Sequence, residues 1–289
     1  SALWQNSTAS NNIAIGHSSL STNSTGSNNL AIGSNALSSN TTGHRNIALG
    51  HSPLYNNTSG LENIAIGFQS LYANTEGNTN IAIGQEALRS NQTGSYNTAI
   101  GYLALNNNTA TINTAIGALA LKANITGARN TALGHQSLER NENGSDNIAV
   151  GYQALNRNIS GSYNIAIGDQ ALYNNITATG NTGVGFNAGY DINSNTEGNF
   201  GFNTFLGYNT GRGIQSGINN TILGAGVTGL PAALSNNIII ADGAGNQRIR
   251  VLDNGNTGIG SASPQANLDV REANPSNPSA NAGIAVPQV

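Results

Sequence analysis

The acidic side chains of this chain are the first groups whose spacing could support catalysis. A glycosidase needs two carboxylates about 5 to 9.5 Å apart, flanking the bond that it cleaves. Two pairs could be placed in that role, Glu139 with Glu142 and Asp242 with Asp253. The remaining acidic residues are scattered, and solvated turns explain them all more simply. We therefore predict no catalytic residue, and a polysaccharide-degrading enzyme is the alternative function.

Histidine is the next candidate, because three histidines recur at one position of a repeated phrase. His17, His51 and His135 each follow the glycine of that phrase and lie at least two repeats apart. At the usual spacing of β-strands this separation is roughly 10 Å or more, too far for one chain to offer them to a single metal ion. The same position also holds Phe68 and Tyr102, and such variability indicates an outer surface. No metal site and no cofactor are predicted.

The elements that must position these groups are copies of the phrase Asn-Ile/Thr-Ala-Ile-Gly. The step between copies is 17 residues, with one step of 16. The glycines of the clear copies are Gly16, Gly33, Gly50, Gly67, Gly84, Gly101, Gly117, Gly134, Gly151 and Gly168. Self-similarity at a short fixed period predicts one structural unit stacked on copies of itself.

One repeat, residues 80–96, shows how each unit is expected to fold. The triplet Ile81-Ala82-Ile83 is too short for a helix and alternates as a strand does. The segment Asn91-Gln92-Thr93-Gly94 is a turn, since Asn and Gly tolerate the positive φ of tight corners. Stacked copies place equivalent strands parallel, with the phrase asparagines in an amide ladder. The sequence therefore predicts an all-β, parallel β-solenoid of about 17-residue coils.

Two aliphatic columns are expected to form the interior. One is the fourth residue of the phrase, such as Ile83, and the other is the later leucine, such as Leu88. In the ten clear copies the third residue is always alanine, which we interpret as a flat outward face that packs on copies of itself. The predicted interface of a homo-oligomer is Ala14, Ala31, Ala48, Ala65, Ala82, Ala99, Ala115, Ala132, Ala149 and Ala166.

Composition argues against several classes of partner. Only 8% of the residues are charged and the formal net charge is −3, which is unlike a protein that binds nucleic acid. No apolar run approaches the roughly 18 to 20 residues that span a bilayer, so no membrane insertion is expected. Sequons at Asn23, Asn40 and Asn124 are explained more simply as Asn- and Thr-rich turns.

The repeat pattern divides the chain into five segments. These are an N-terminal lead-in of a fragment (1–10), regular repeats (11–185), an insert (186–202), degenerate repeats (203–260) and a junction or linker to a missing C-terminal domain (261–289). In the degenerate part the alanine position becomes Gly, Phe or Ile, so the face that alanine contacts should change shape there. Inserts on a regular scaffold often carry function. We therefore expect any ligand contact near Phe186, Tyr190 and Tyr208.

The phrase resembles the head repeats of trimeric autotransporter adhesins of the YadA type, and the fuller unit resembles the shaft repeats of phage-type tail fibres. Residues 254–260 with Pro264, Ala266 and 268–270 are similar to junctions that lead to a receptor-binding tip or an intramolecular chaperone. The resemblance implies a left-handed β-roll in a homotrimeric fibre, outside the cell on a bacterial surface or a virion. It also implies a non-enzymatic structural or adhesive role, with a glycan or protein receptor bound through the C-terminal tip.

Overall fold

The computed structural model describes residues 2–3, 5, 7–193 and 201–271, and the architecture is all-β within these ranges. One sheet of 17 short strands runs through them, and no helix occurs among the described residues. The strands are β1 (Ile13–Ile15), β2 (Leu30–Ile32), β3 (Ile47–Leu49), β4 (Ile64–Ile66), β5 (Ile81–Ile83), β6 (Thr98–Ile100), β7 (Thr114–Ile116), β8 (Thr131–Leu133), β9 (Ile148–Val150), β10 (Ile165–Ile167), β11 (Thr182–Val184), β12 (Thr204–Leu206), β13 (Thr221–Leu223), β14 (Ile238–Ala241), β15 (Gln247–Val251), β16 (Thr257–Ile259) and β17 (Leu268–Val270).

Each strand from β1 to β13 pairs in parallel with the next, residue for residue, so that Ala82 lies beside Ala99. This stacking forms a parallel β-solenoid of about 13 turns and confirms the predicted solenoid. The direction then changes, because β15 is antiparallel to both β14 and β16. The last strand, β17, is again parallel to β16.

The interior is built from the middle residue of each strand and the later leucine of each coil. Ala82, Ala99 and their equivalents from β2 to β10 are fully buried, and Leu88 and its equivalents are buried as well. The leucine column was predicted to lie inside, and this is confirmed for Leu20, Leu37, Leu54, Leu71, Leu88, Leu105, Leu121, Leu138, Leu155 and Leu172. The core is thus an alanine wall opposite a leucine wall.

The predicted orientation of the strand triplet is wrong. The aliphatic fourth residue of the phrase points outward, as the 45% exposure of Leu133 shows, whereas the alanine beside it points inward. Successive side chains of a strand point to opposite faces, so the alanine and its two aliphatic neighbours cannot all point inward. Because the alanine faces the leucine across the core, both neighbours must point outward. Buried methyl groups offer no surface to a second chain. The interface assigned to Ala14, Ala31, Ala48, Ala65, Ala82, Ala99, Ala115, Ala132, Ala149 and Ala166 is therefore corrected: nine are fully buried, and Ala14 is half-buried against the core.

The predicted asparagine ladder is confirmed, and it does more than stack amides. Asn80 accepts the backbone N–H of Asn97 at 3.0 Å, and its amide donates to the carbonyl of Gly94 at 2.9 Å and to Asn63 at 3.1 Å. The phrase asparagine therefore ties its own coil to both neighbouring coils. Only a side chain that both donates and accepts can do this.

A second asparagine ladder occupies the turn, where the reason for the residues differs from the prediction. Asn91 donates its amide to Asn74 at 3.1 Å and to the Gly94 carbonyl at 2.9 Å, and it is fully buried. Positive φ is not found at Asn91 or Gly94 but at Leu88, at Tyr96 and at the phrase glycine Gly84. The turn glycine is needed because a Cβ at Gly94 would collide with the Asn91 amide. The sequon residues Asn23, Asn40 and Asn124 belong to this buried ladder.

The inner column changes after β10, but the change concerns the interior and not an outer face. Phe205 and Ile222 are fully buried where earlier strands carry alanine. Across the core, a Cβ at Gly189 or at Gly211 would collide with the Phe205 ring. The large residue has moved to the strand and the small one to the opposite wall, so the interior volume stays filled.

Three of the predicted segments include residues outside the described part. In the lead-in, Leu3 and Gln5 donate backbone hydrogen bonds to Ser19 and Ser21, so these residues already run along the first coil. Residues 186–193 of the insert follow the course of earlier coils, whereas residues 194–200 lie outside the described ranges. The junction contributes β17, and its residues 272–289 also lie outside them.

A candidate assembly face

The outward residues of the strands form one flat apolar surface, which we call the outward face. It consists of two columns in which every residue is Ile, Leu, Val or Thr, and each is half-buried or exposed in the single chain. The first column is Ile13, Leu30, Ile47, Ile64, Ile81, Thr98, Thr114, Thr131, Ile148, Ile165, Thr182, Thr204, Thr221, Ile238, Val251, Thr257 and Leu268. The second is Ile15, Ile32, Leu49, Ile66, Ile83, Ile100, Ile116, Leu133, Val150, Ile167, Val184, Leu206, Leu223, Ile240, Ile249, Ile259 and Val270.

The outward face continues across the change of strand direction. Ile240 of β14 pairs with Ile249 of β15, which pairs with Ile259 of β16, which aligns with Val270 of β17. Between them, Arg250 takes the inner position beside Ile239. The strand direction and the core both change here, yet the outward residues remain aliphatic or threonine.

The residues that precede the phrase asparagines form a column along one side of the outward face. We call this column the start edge. Every residue of this column has a positive φ, from 44° at Phe202 to 77° at Gly180. Its members are Asn11, Asn28, Arg45, Glu62, Thr79, Tyr96, Ile112, Arg129, Asp146, Tyr163, Gly180, Phe202, Asn219 and Asn236. Ion pairs join Arg45 to Glu62 and Arg129 to Asp146 along the column, both at 2.7 Å. The Arg129 guanidinium lowers the pKa of the Asp146 carboxyl through its hydrogen bonds.

The opposite border is formed by the residue after each phrase glycine, which we call the end edge. Its members are His17, Ser34, His51, Phe68, Gln85, Tyr102, Ala118, His135, Tyr152, Asp169, Phe186, Tyr208 and Ala225. Rings in adjacent coils stack along it, with centroids 5.6 Å apart for His51 and Phe68 and 5.7 Å apart for His135 and Tyr152. The predicted outer position of this column is confirmed.

The three aromatic candidates for ligand contact belong to two separate stacks. Phe186 and Tyr208 stack on the end edge with centroids 5.2 Å apart. Tyr190 lies on another wall, where Tyr173 covers one side at 5.1 Å and the Arg212 guanidinium lies 4.7 Å from its centroid. Each of the three rings therefore has at least one face covered by a neighbouring group. These stacks were not predicted from the sequence, although aromatic residues at one position of adjacent repeats are the signal for them.

The carboxylates of the alternative enzyme are spread over several turns. Asp242 and Asp253 lie in the hairpin turns at opposite ends of β15, which spans five residues, so roughly 17 Å separates the two turns. The structure thus does not bring this pair to the spacing of a glycosidase. Asp242 also accepts hydrogen bonds from Asn246 and Arg248, which hold its pKa well below the usual range. Glu139 accepts the amide of Asn156 at 3.2 Å, and Glu142 lies in an exposed turn.

Among the described residues, no group of three or more His, Cys, Asp or Glu side chains is arranged to hold a metal ion. The same ranges contain no helix that is long and apolar enough to cross a bilayer.

The fold and this face define the class of protein: a parallel β-solenoid built from roughly 17-residue repeats, with one flat aliphatic side. The chain matches none of the protein-family models, and no curated protein and no solved structure matches it either.

Proposed function

We propose that this chain is a non-enzymatic structural or adhesive fibre segment that assembles as a homotrimer through the outward face. The single observation that carries the proposal is the composition of that face, in which two columns pass through all 17 strands without one charged or amide side chain. The other outer walls of the coil carry charged or amide side chains at several levels.

The size of the face supports a covered surface. Seventeen strands at about 4.8 Å extend over roughly 75 Å, and three residues span about 10 Å, which gives roughly 800 Å². Monomeric proteins rarely expose an apolar patch larger than about 300 to 600 Å². An area of about 800 Å² per partner is typical of a specific protein interface.

A second copy of the chain is the partner that fits this surface best. Its own outward face has the same flat profile and the same spacing between levels, so side chains can interlock at every coil. Three such faces close around one axis and leave no apolar edge open. The resemblance to trimeric adhesins and tail fibres supports three copies rather than two.

A rod of this kind holds its ends far apart, which suits a shaft or spacer. We place attachment to a cell-surface glycan or protein in a tip that the rod supports, at a bacterial surface or on a virion. The polysaccharide-degrading alternative gains no support from the spacing of Asp242 and Asp253.

The test is to charge the outward face and compare it with an equally exposed apolar wall. Ile116→Lys with Leu133→Lys alters two outward residues that are 37% and 45% exposed. Ile125→Lys with Ile159→Lys alters two turn residues that are 43% and 37% exposed, and serves as the matched control. Light scattering should give a trimer for the unmodified chain and the control, and a folded single chain for the face variant. A single-chain mass for the unmodified protein would rule out the proposal.

A further inference from the structure

We propose that neighbouring copies meet edge to edge at the same level, with the start-edge residue of one copy against the end-edge residue of the next. In every clear coil these two residues are six positions apart, as Tyr96 and Tyr102 are. The inference rests on the proposed trimer and specifies the contacts that would set its register.

Symmetry supplies the first step. A rotation about an axis parallel to the rod moves no coil up or down, so each level of one copy faces the same level of the next. The rotation also turns the strand direction, which brings the start of one strand beside the end of its neighbour. Copies packed in opposite directions would instead pair coils from different levels.

The chemistry of the two edges agrees at several levels. Tyr96 on the start edge would meet Tyr102 on the end edge, and these side chains are 64% and 49% exposed. One coil further on, Ile112 would meet Ala118, so an apolar residue again meets an apolar one. Aromatic and aliphatic groups at these levels would leave water together when the edges close.

A polar level follows the same rule. Tyr163 is 64% exposed on the start edge, and the end-edge residue of its coil is Asp169. A tyrosine hydroxyl can donate a hydrogen bond to a carboxylate. Asp169 uses one oxygen to accept the Tyr152 backbone N–H at 3.2 Å, and its second oxygen can accept the hydroxyl.

The acidic residues of the start edge are compatible with this pairing because each has an arginine in its own chain. Glu62 would lie against Phe68, and the Arg45 side chain already contacts it at 2.7 Å. Asp146 is bound in the same way by Arg129. Neither level therefore places an uncompensated charge against an aromatic ring.

The backbone of the start edge gives independent support. Tyr96, Ile112 and Tyr163 have φ values of 61°, 60° and 58°, in the left-handed region that bulky residues avoid. Asparagine occupies the same conformation at Asn28 with less strain. These side chains are 64%, 53% and 64% exposed, so the single chain buries little of their apolar surface, whereas an intermolecular contact would bury more of it.

The experiment uses the absence of cysteine from the chain. Tyr96→Cys with Tyr102→Cys places thiols on both edges of one level, and Tyr96→Cys with Tyr152→Cys places them three levels apart as a control. Six extended residues span about 20 Å, so the matched pair cannot form a disulfide within one chain. After oxidation, the matched pair should run as covalent dimers and trimers on a denaturing gel, and the control as single chains.

A second matched pair, Tyr163→Cys with Asp169→Cys, covers the case in which loss of the tyrosines at one level weakens the assembly. Light scattering on every variant before oxidation separates the two proposals. If the variants are trimers and neither matched pair cross-links, the edge pairing is overturned while the trimer stands. If the unmodified chain has the mass of a single copy, both the trimer proposal and the edge-pairing proposal are overturned. Cross-linking of the control as strongly as of the matched pairs also overturns the pairing.

Discussion

The regular coils of residues 11–184 and the terminal part of residues 201–271 differ inside and agree outside. In the regular coils alanine faces leucine across the core, whereas in the terminal part Phe205 fills the space opposite Gly211. Further on, the strand direction reverses and Arg250 enters the inner column, where burial lowers its pKa. Through all these changes the outward face remains aliphatic or threonine.

This difference is the reason for placing the proposed contact with a second copy on the outward face. A core accepts any residues that fill its volume in good geometry, and this chain uses at least two solutions. Solvent-facing positions of a monomer carry no such restriction, yet the two outward columns hold no charged or amide side chain in any of the 17 strands, whereas the inner column takes in Arg250. The proposed contact with a second copy would explain this combination, and the identical spacing of that copy would explain its length.

The largest expected effect comes from breaking the core of the terminal part. Phe205→Ala should lower the free energy of unfolding by about 3 to 5 kcal/mol, because the two facing glycines leave the cavity empty. Gly211→Leu alone should also destabilise, since even a Cβ at this position collides with the Phe205 ring. Chemical denaturation followed by circular dichroism measures both changes.

The double variant Phe205→Ala with Gly211→Leu rebuilds the alanine–leucine pair of the regular coils. Gly211 has a φ of 70°, and leucines in the regular coils adopt values near 50°, so the backbone can accept leucine there. The double variant should be more stable than either single variant. If the double variant instead loses the sum of the two single-variant losses in free energy of unfolding, the core does not have two equivalent ways of being filled.

A smaller effect is expected from the asparagine ladder, and it should differ between the two regions. Asn80→Ala leaves the buried Asn97 N–H without its acceptor, which costs about 1 to 3 kcal/mol. Asn256 is half-buried and donates to the Pro264 carbonyl at a long 3.4 Å, so Asn256→Ala should cost about 1 kcal/mol or less. If thermal unfolding shows that the two variants lose the same amount of stability, the ladder is not specific to the parallel coils.

Much of the fold could be predicted from the period and the residue types. The step of 17 residues, the strand triplets and the buried leucine predict a parallel solenoid, and the fixed asparagine predicts a ladder. The second ladder was missed, although the recurrence of asparagine 11 positions after the phrase asparagine, as in Asn80 and Asn91, was the available signal. The positions of the turn glycines were predicted correctly, but the predicted reason was a positive φ. The structure shows that close packing against the asparagine ladder requires glycine there.

The orientation of the strand could not be predicted from alternation alone. Ile81 and Ile83 flank Ala82, and burial of two isoleucines is the usual expectation for such a triplet. Which side faces inward depends on the width of the coil, which is set by the opposite leucine and is not visible in one triplet. The constant alanine was interpreted as an outer contact, whereas its small size is required by the narrow core.

The most direct test of the central claim is whether the outward face is shielded in the native protein. Leu133→Cys lies on that face and Ile125→Cys lies on a turn, and the original side chains are 45% and 43% exposed in the single chain. A thiol reagent should modify Ile125→Cys in the native protein but reach Leu133→Cys only after denaturation. Equal and rapid modification of both thiols in the native protein would contradict assembly through the outward face.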